Sequence, residues 1–394
     1  MTALAPVRAA ADRATAWGGA LGSLGSLGSS VLRPLDLLRR LTLQLLRPLL
    51  RRAPALRRAW VWRDSRVPLL LSLHAVAAFA VALLVPSLSL ALAPILLGVP
   101  HAASDVRHLV VRRQLPRWWL RAIVGFAAAL ILIRALEEAR VLPSAAQRLE
   151  HALASAWLLV GVAGGAILGG WRRSAWLALL LVAAIGATAL AAPGAFRLAF
   201  VQGHNLMAIA IWLLLFRRGL RRARLPVALV LVGAALLGSG ALLGVTLHHG
   251  VLSLFGLHLF AAADWIAPGL SDVRAIALTT AFAFLQSVHY AIWLVAIPQD
   301  DDVRVKGRPS VRMAWRALAR DFSPAGVAAI VALAALVIGA GVVTPLRTRS
   351  LFLSLATFHG WLELALLAFF LARDGLGSPR AARAVGPHTA RAAA

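Results

Sequence analysis

The stretch PLLLSLHAVAAFAVALLV, Pro68–Val85, carries no charged residue. At a rise of about 1.5 Å per residue, a helix of this length reaches most of the way across a roughly 30 Å hydrocarbon layer, so the run reads as a transmembrane segment. Runs of the same kind recur outward from it, at roughly 68 to 85, 88 to 111, 118 to 135, 151 to 171, 175 to 195, 196 to 216, 226 to 248, 272 to 298, 323 to 345 and 350 to 372. The expectation is an all-α polytopic transmembrane helix bundle of about ten spans, nine if the pair meeting between Pro193 and Arg197 is a kink instead of a loop. Composition agrees: 60% of residues are hydrophobic and the mean hydropathy is +0.80, which belongs to the membrane class.

Charge gives the orientation. The formal net charge is +26, carried almost wholly by arginine, since Lys306 is the sole lysine. Arginines crowd alternate connections: the amino segment, Arg107 to Arg121, Arg172 with Arg173, Arg217 to Arg224, Arg304 to Arg320, and the tail after Arg373. Arg347 and Arg349 fit this alternation least well. The positive-inside pattern then puts both termini in the cytoplasm of a multi-pass inner-membrane protein. It also assigns the arginines to the bilayer and its anionic lipid head groups, and not to nucleic acid. Cysteine is absent, so disulfides and thiolate ligands are excluded and any metal must take nitrogen and oxygen donors.

Three regions follow. Residues 1–66 are a basic segment: no apolar core of a signal peptide, a Leu-Gly-Ser linker over Gly19 to Ser30, then a basic amphipathic stretch from Val31 to Arg52 that suits the membrane surface. Residues 67–373 hold the spans. Residues 374–394, with His388, read as a disordered basic tail.

Ionisable side chains in hydrocarbon need partners and mark function by default. Counted from the cytoplasmic span ends, His101, His204, His289 and His359 all lie roughly 13 to 21 Å deep, on four different helices. Asp105 follows His101 by four and Glu363 follows His359 by four, a spacing that puts each acid on its histidine's helix face, as a second donor or as an orienting group. Tyr290, the single tyrosine, adjoins His289 and supplies a phenol for hydrogen bonding or proton donation. Glu363, Tyr290 and Asp105 are therefore the candidate catalytic residues, and the four histidines the candidate metal ligands. His74, His108, Gln286 and Asn205 form a second tier, and Gly203 is read as room for a neighbouring helix. His248, His249 and His258, with Asp264, and His151 at a span end, are read as interfacial polar residues, the first group also as a possible second ion site. Three readings of the set stay open: a metal or cofactor site, a proton or ion pathway, and structural hydrogen bonding.

Imidazole with few carboxylates suits iron, zinc, copper or manganese, and Fe2+ is the leading expectation. Two histidines on different helices could instead hold a b-type haem, and a carrier could use the same groups as a proton relay, although no repeated halves are visible. The depth favours a lipophilic substrate and dioxygen, both of which partition into hydrocarbon.

The stretch Gly98-Val99-Pro100-His101-Ala102-Ala103-Ser104-Asp105 resembles the Gly-x-Pro-His-Gly-x-x-Asp signature of the bacteriorhodopsin-related protein family, membrane β-carotene dioxygenases that hold iron with histidines from several helices. Ala102 stands where the family has glycine, and the family's later His-x-x-x-His pair has no counterpart. The resemblance implies that His101 is an iron ligand, that Asp105 is the acid following it, and that the substrate is a carotenoid, while the depth of the site points more broadly to oxidative chemistry on a lipid or isoprenoid.

Overall fold

The structure, a computed structural model, describes residues 51–113, 115–142, 146–217, 220–250, 253, 256–301 and 311–375, with scattered positions between 37 and 48. The Gly19 to Ser30 linker, most of the amphipathic stretch and the tail beyond 375 lie outside the described residues. Those described are helical, with no strand among them.

Two units divide the chain. One comprises residues 1–63 and 304–332, and holds helix α1 (Pro54–Val61) and the first part of a helix over Val311–Val343. That helix changes direction at Ser323, whose φ is 65°, and resumes at Pro324, a residue suited to a first turn.

The second unit, residues 64–303 with 333–394, carries the candidate site. Its helices are α2 (Arg63–Leu84), α3 (Pro86–Asp105), α4 (Arg117–Glu138), α5 (Ala146–Gly169), α6 (Arg173–Ala191), α7 (Pro193–Ile211), α8 (Arg224–Gly238), α9 (Leu243–His249), α10 (Leu259–Ile266), α11 (Asp272–Ala291), α12 (the helix over Val311–Val343, shared between the units), α13 (Pro345–Leu355) and α14 (Thr357–Asp374). Pro86, Pro193 and Pro345 each open a helix, where the missing N–H costs no bond. Pro193 thus resolves the junction with α6 as a true break.

Among the described residues nine helices are long and apolar enough to cross a membrane, or ten if α8 and α9 count as one broken span. That pair corrects the straight span expected at 226 to 248. It bends by 79° at Gly238-Ser239-Gly240, where Gly240 has φ +79°, a left-handed value that glycine adopts without penalty.

In hydrocarbon, helices associate through close packing and polar contacts instead of water exclusion. Accordingly, Gly161, Gly165 and Gly169 let the backbone of α14 lie against α5: a Cβ on Gly165 would stand 2.4 Å from the Phe369 carbonyl oxygen. The α11 span is the most enclosed, and packs against α3, α7, α8 and α10. Three helices, α3, α7 and α11, each run into a π-helical segment, Val106–Val110, Trp212–Arg217 and Ile292–Ala296, a conformation often found at functional sites. These three carry His101, His204 and His289.

Candidate metal centre

The four histidines meet. His101 Nε2 lies 3.1 Å from His289 Nε2, and His204 Nε2 lies 3.1 Å from His359 Nε2. Ring centroids of His101 and His289, and of His204 and His289, are 4.6 Å apart. Those of His204 and His359 are 4.8 Å apart, and those of His101 and His359 are 5.0 Å apart. Two nitrogens bound to one first-row metal at about 2.0–2.1 Å stand about 3.0 Å apart at a right angle and about 3.4 Å apart in a tetrahedron. The observed spacing falls in that interval.

Both carboxylates join the cluster. Asp105 Oδ1 is 3.2 Å from His101 Nδ1. Glu363 Oε2 is 3.5 Å from His204 Nδ1, and its Oε1 is 3.7 Å from His289 Nε2. Each acid is 0% exposed; Glu363 stands against Asp105 and the Trp293 indole, though without strict hydrogen-bond geometry at either oxygen. Donor atoms lie close enough for three overlapping sets: His101, His289 and His359; His204, His289 and Glu363; His101, Asp105 and Glu363.

Local geometry prepares the nitrogens. His359 Nδ1 meets the Ala356 carbonyl; an N–H there donates to the oxygen and leaves Nε2 with its lone pair turned to the cluster. Asp105 Oδ1 lies 3.2 Å from His101 Nδ1 but outside hydrogen-bond geometry. Glycine makes the room: a Cβ on Gly98 would lie 2.2 Å from the Phe352 ring, and one on Gly360 would lie 3.0 Å from His204 Nδ1. The residue that accommodates His204 is therefore Gly360. Gly203 has nothing within 4 Å, which corrects its expected role.

The second tier separates. His74 Nε2 is 3.0 Å from the Ser287 carbonyl oxygen and 3.2 Å from Ser287 Oγ, so its face of α2 is turned to α11 and away from the cluster. His108 also departs: its Nδ1 is 2.8 Å from Asp301 Oδ2, two turns beyond His101 towards the helix end. Asn205 donates to the Val201 carbonyl at 3.3 Å, and lines the cavity described below, as does Gln286. Tyr290 packs 5.1 Å from the His101 ring. His151, expected at an interface, is buried and bonds the Ala189 carbonyl at 2.9 Å. His258 Nδ1 accepts the Ala261 N–H at the start of α10, and among the described residues His248, His249 and His258 join no three-donor group.

A cavity of about 470 Å³ has these histidines in its wall, within the size range of small-molecule sites. Phe200 and Trp361, stacked at 4.4 Å, line it together with Phe282 and Trp265. Arg140 and Arg197, both exposed, mark its opening. Seven residues, about 10 Å of helix, separate Arg197 from His204. Beside the opening, Glu150 is buried between Arg134 and the Trp361 indole, which donates to it at 3.1 Å.

The far ends of the same helices are closed by ion pairs that the sequence reading missed. Arg217 holds Asp300 at 3.2 Å and the Trp212 indole donates to it at 2.9 Å. Arg112 pairs with Asp301 at 2.8 Å and Arg113 at 3.5 Å. Asp300 and Asp301 follow Pro298 in the sequence, so they read as loop charges; helix continuation through Asp301 is what carries them inside.

Set against family models, curated proteins and solved structures, the chain matches none.

Proposed function

We propose that the chain is a membrane metalloenzyme that holds one divalent iron on His101, His204, His289 and His359 and oxidises a lipophilic molecule with dioxygen. The observation that carries this reading is the pairing of four convergent imidazoles with two wholly buried carboxylates that, among the described residues, no Arg or Lys neutralises. Beside neutral imidazoles the two carboxyls have no counter-charge, so in hydrocarbon they hold protons; one divalent ion displaces those protons and brings the sum of charges to zero.

The set of His204, His289 and Glu363 has the two-histidine, one-carboxylate composition found in non-haem iron oxygenases. A haem fits less well, because its plane must be clear between the axial ligands and here four rings crowd one another within 5.0 Å for the adjacent pairs. When bound, iron would supply activation of dioxygen. The chain's own part is to fix the imidazole tautomers through Asp105 and the Ala356 carbonyl, to bind an apolar chain along Phe200 and Trp361, and to present the Tyr290 phenol beside His101. A carotenoid or other isoprenoid is the substrate class that the His101 motif suggests. The opening faces away from the cytoplasm if the charge alternation sets the topology.

A second reading, a proton-coupled carrier, draws on one observation: a cavity open at one end and ion pairs closing the other. Iron-loaded protein in nanodiscs should consume dioxygen on addition of membrane isoprenoids, and His359→Ala should abolish that consumption. Absence of oxygen uptake, together with proton flux in proteoliposomes that Glu363→Gln removes, would overturn the enzyme in favour of the carrier.

A further inference from the structure

Among the described residues, one buried cation meets no carboxylate. Arg349 on α13 is 3% exposed. Its Nε donates to the Leu90 carbonyl, and its guanidinium lies over the Trp265 ring, 5.1 Å from the centroid. Among the described residues no carboxylate pairs with it, and its Nη2 has no hydrogen-bond partner. A buried guanidinium is costly unless paired and fully bonded, so a site like this favours an anion.

Its neighbours line the cavity: Trp265 beneath it, Ser350 next to it in the chain, and Tyr290, which bonds Gln286 and feels the charges of both Arg349 and, from outside the cavity wall, Asp105. Gln286, also in that wall, is buried with an unpartnered Oε1. Tyr290, Ser350 and the Gln286 amide all offer hydrogen-bond donors, and no acid lines this corner; Glu137, Glu138 and Glu150 belong to the opening, with Arg134, Arg140 and Arg197. At the opening the two signs balance, three acids against three arginines, which leaves Arg349 as the charge that selects. Along α13 and α14, Arg349 precedes His359 by ten residues, roughly 15 Å of helix, so an anion held there leaves its chain free to extend towards the four imidazoles.

From this geometry we infer that the corner of the cavity lined by Tyr290, Gln286 and Ser350, with the Arg349 charge buried directly behind it, binds the carboxylate of a long-chain apolar acid, whose hydrocarbon tail lies along Phe200 and Trp361 towards the metal centre. The assignment narrows the substrate class of the proposed enzyme and rests on that reading for the chemistry, while the binding itself stands on Arg349.

The test is saturation binding of radiolabelled palmitate and of 1-hexadecanol to the full chain in phosphatidylcholine nanodiscs, corrected with empty nanodiscs, with iron content measured on the same samples. Palmitate should bind at least about tenfold more tightly than the alcohol, the range of a charge-assisted hydrogen bond. Arg349→Gln should abolish the difference without changing iron content, and Arg349→Lys should keep part of it. Equal binding of acid and alcohol by the wild type overturns the carboxylate site whatever the variants do, as does an undiminished preference in Arg349→Gln. Missing iron with an intact acid preference would instead overturn the metalloenzyme and leave the carboxylate site standing.

Discussion

The helices α3, α7 and α11 bury polar groups at two levels, and the levels differ in how those groups are satisfied. Towards the ends of the helices, both oxygens of Asp300 and of Asp301 meet donors: Arg217 and Trp212 for the first, His108, Arg112 and Arg113 for the second. Midway along, both oxygens of Asp105 and of Glu363 meet none of proper geometry. The carboxylates are satisfied at one level and not at the other, although His108 Nε2 at the end level also lacks a partner. The end cluster is a structural clasp. On the proposed reading, the middle cluster is the one that takes a metal ion.

Opposite responses to charge removal should expose that difference. The largest expected effect is on stability: Asp300→Ala strands Arg217 and the Trp212 indole, and breaking a buried pair in this way costs about 3–5 kcal/mol. Unfolding followed by tryptophan fluorescence in detergent should show it. Glu363→Gln in metal-free protein should leave stability unchanged or raise it, because an amide replaces a buried carboxyl that has no counter-charge until metal binds. A Glu363→Gln loss as large as that of Asp300→Ala would erase the distinction between the levels.

Metal affinity should respond the other way round. Each of His101→Ala, His204→Ala, His289→Ala and His359→Ala should weaken iron binding by more than about 100-fold, beyond the range for groups that only orient a ligand. Asp105→Asn, which spares the nitrogens but removes the acceptor beside His101 Nδ1, should weaken it about 10- to 100-fold. Asp300→Ala protein that remains folded should bind iron normally. Equilibrium titration with a competing chelator measures all of these.

Protons give a smaller signal with a definite sign. Ligand nitrogens and carboxylates must be free of protons to bind a cation, so metal uptake releases protons and affinity falls as pH falls. Titration in weakly buffered solution should acidify the medium for the wild type, and less so for Glu363→Gln. Smallest of all, Gly360→Ala should weaken iron binding modestly, since its Cβ would press on the His204 ring at 3.0 Å.

Sequence reading reached the middle level and missed the end level, for a physical reason. A rise of about 1.5 Å per residue converts position in a span into depth, so His101, His204, His289 and His359 could be placed at one level, with Asp105 and Glu363 a turn away. Depth says nothing of azimuth. His74, roughly 10 Å deep by the same count, has its face of α2 against Ser287, and no periodicity in a span apolar all round reveals that. Asp300, Asp301, Glu150 and Arg349 sit where apolar runs stop, so they read as loop or boundary charges, and their burial emerges only when helices continue past the apolar run and neighbours cover them. The bend between α8 and α9 was legible in Gly238 and Gly240, but the apolar run continues through both glycines and masks it.

The most direct measurement is X-ray absorption at the iron edge, with elemental analysis, on the full chain loaded with Fe2+ in nanodiscs. One iron per chain, with imidazole nitrogens as the main scatterers at about 2.0–2.2 Å and a signal lost in the four histidine variants, is the predicted result. Iron that fails to bind, or binds unchanged when all four histidines are replaced one at a time, would contradict it.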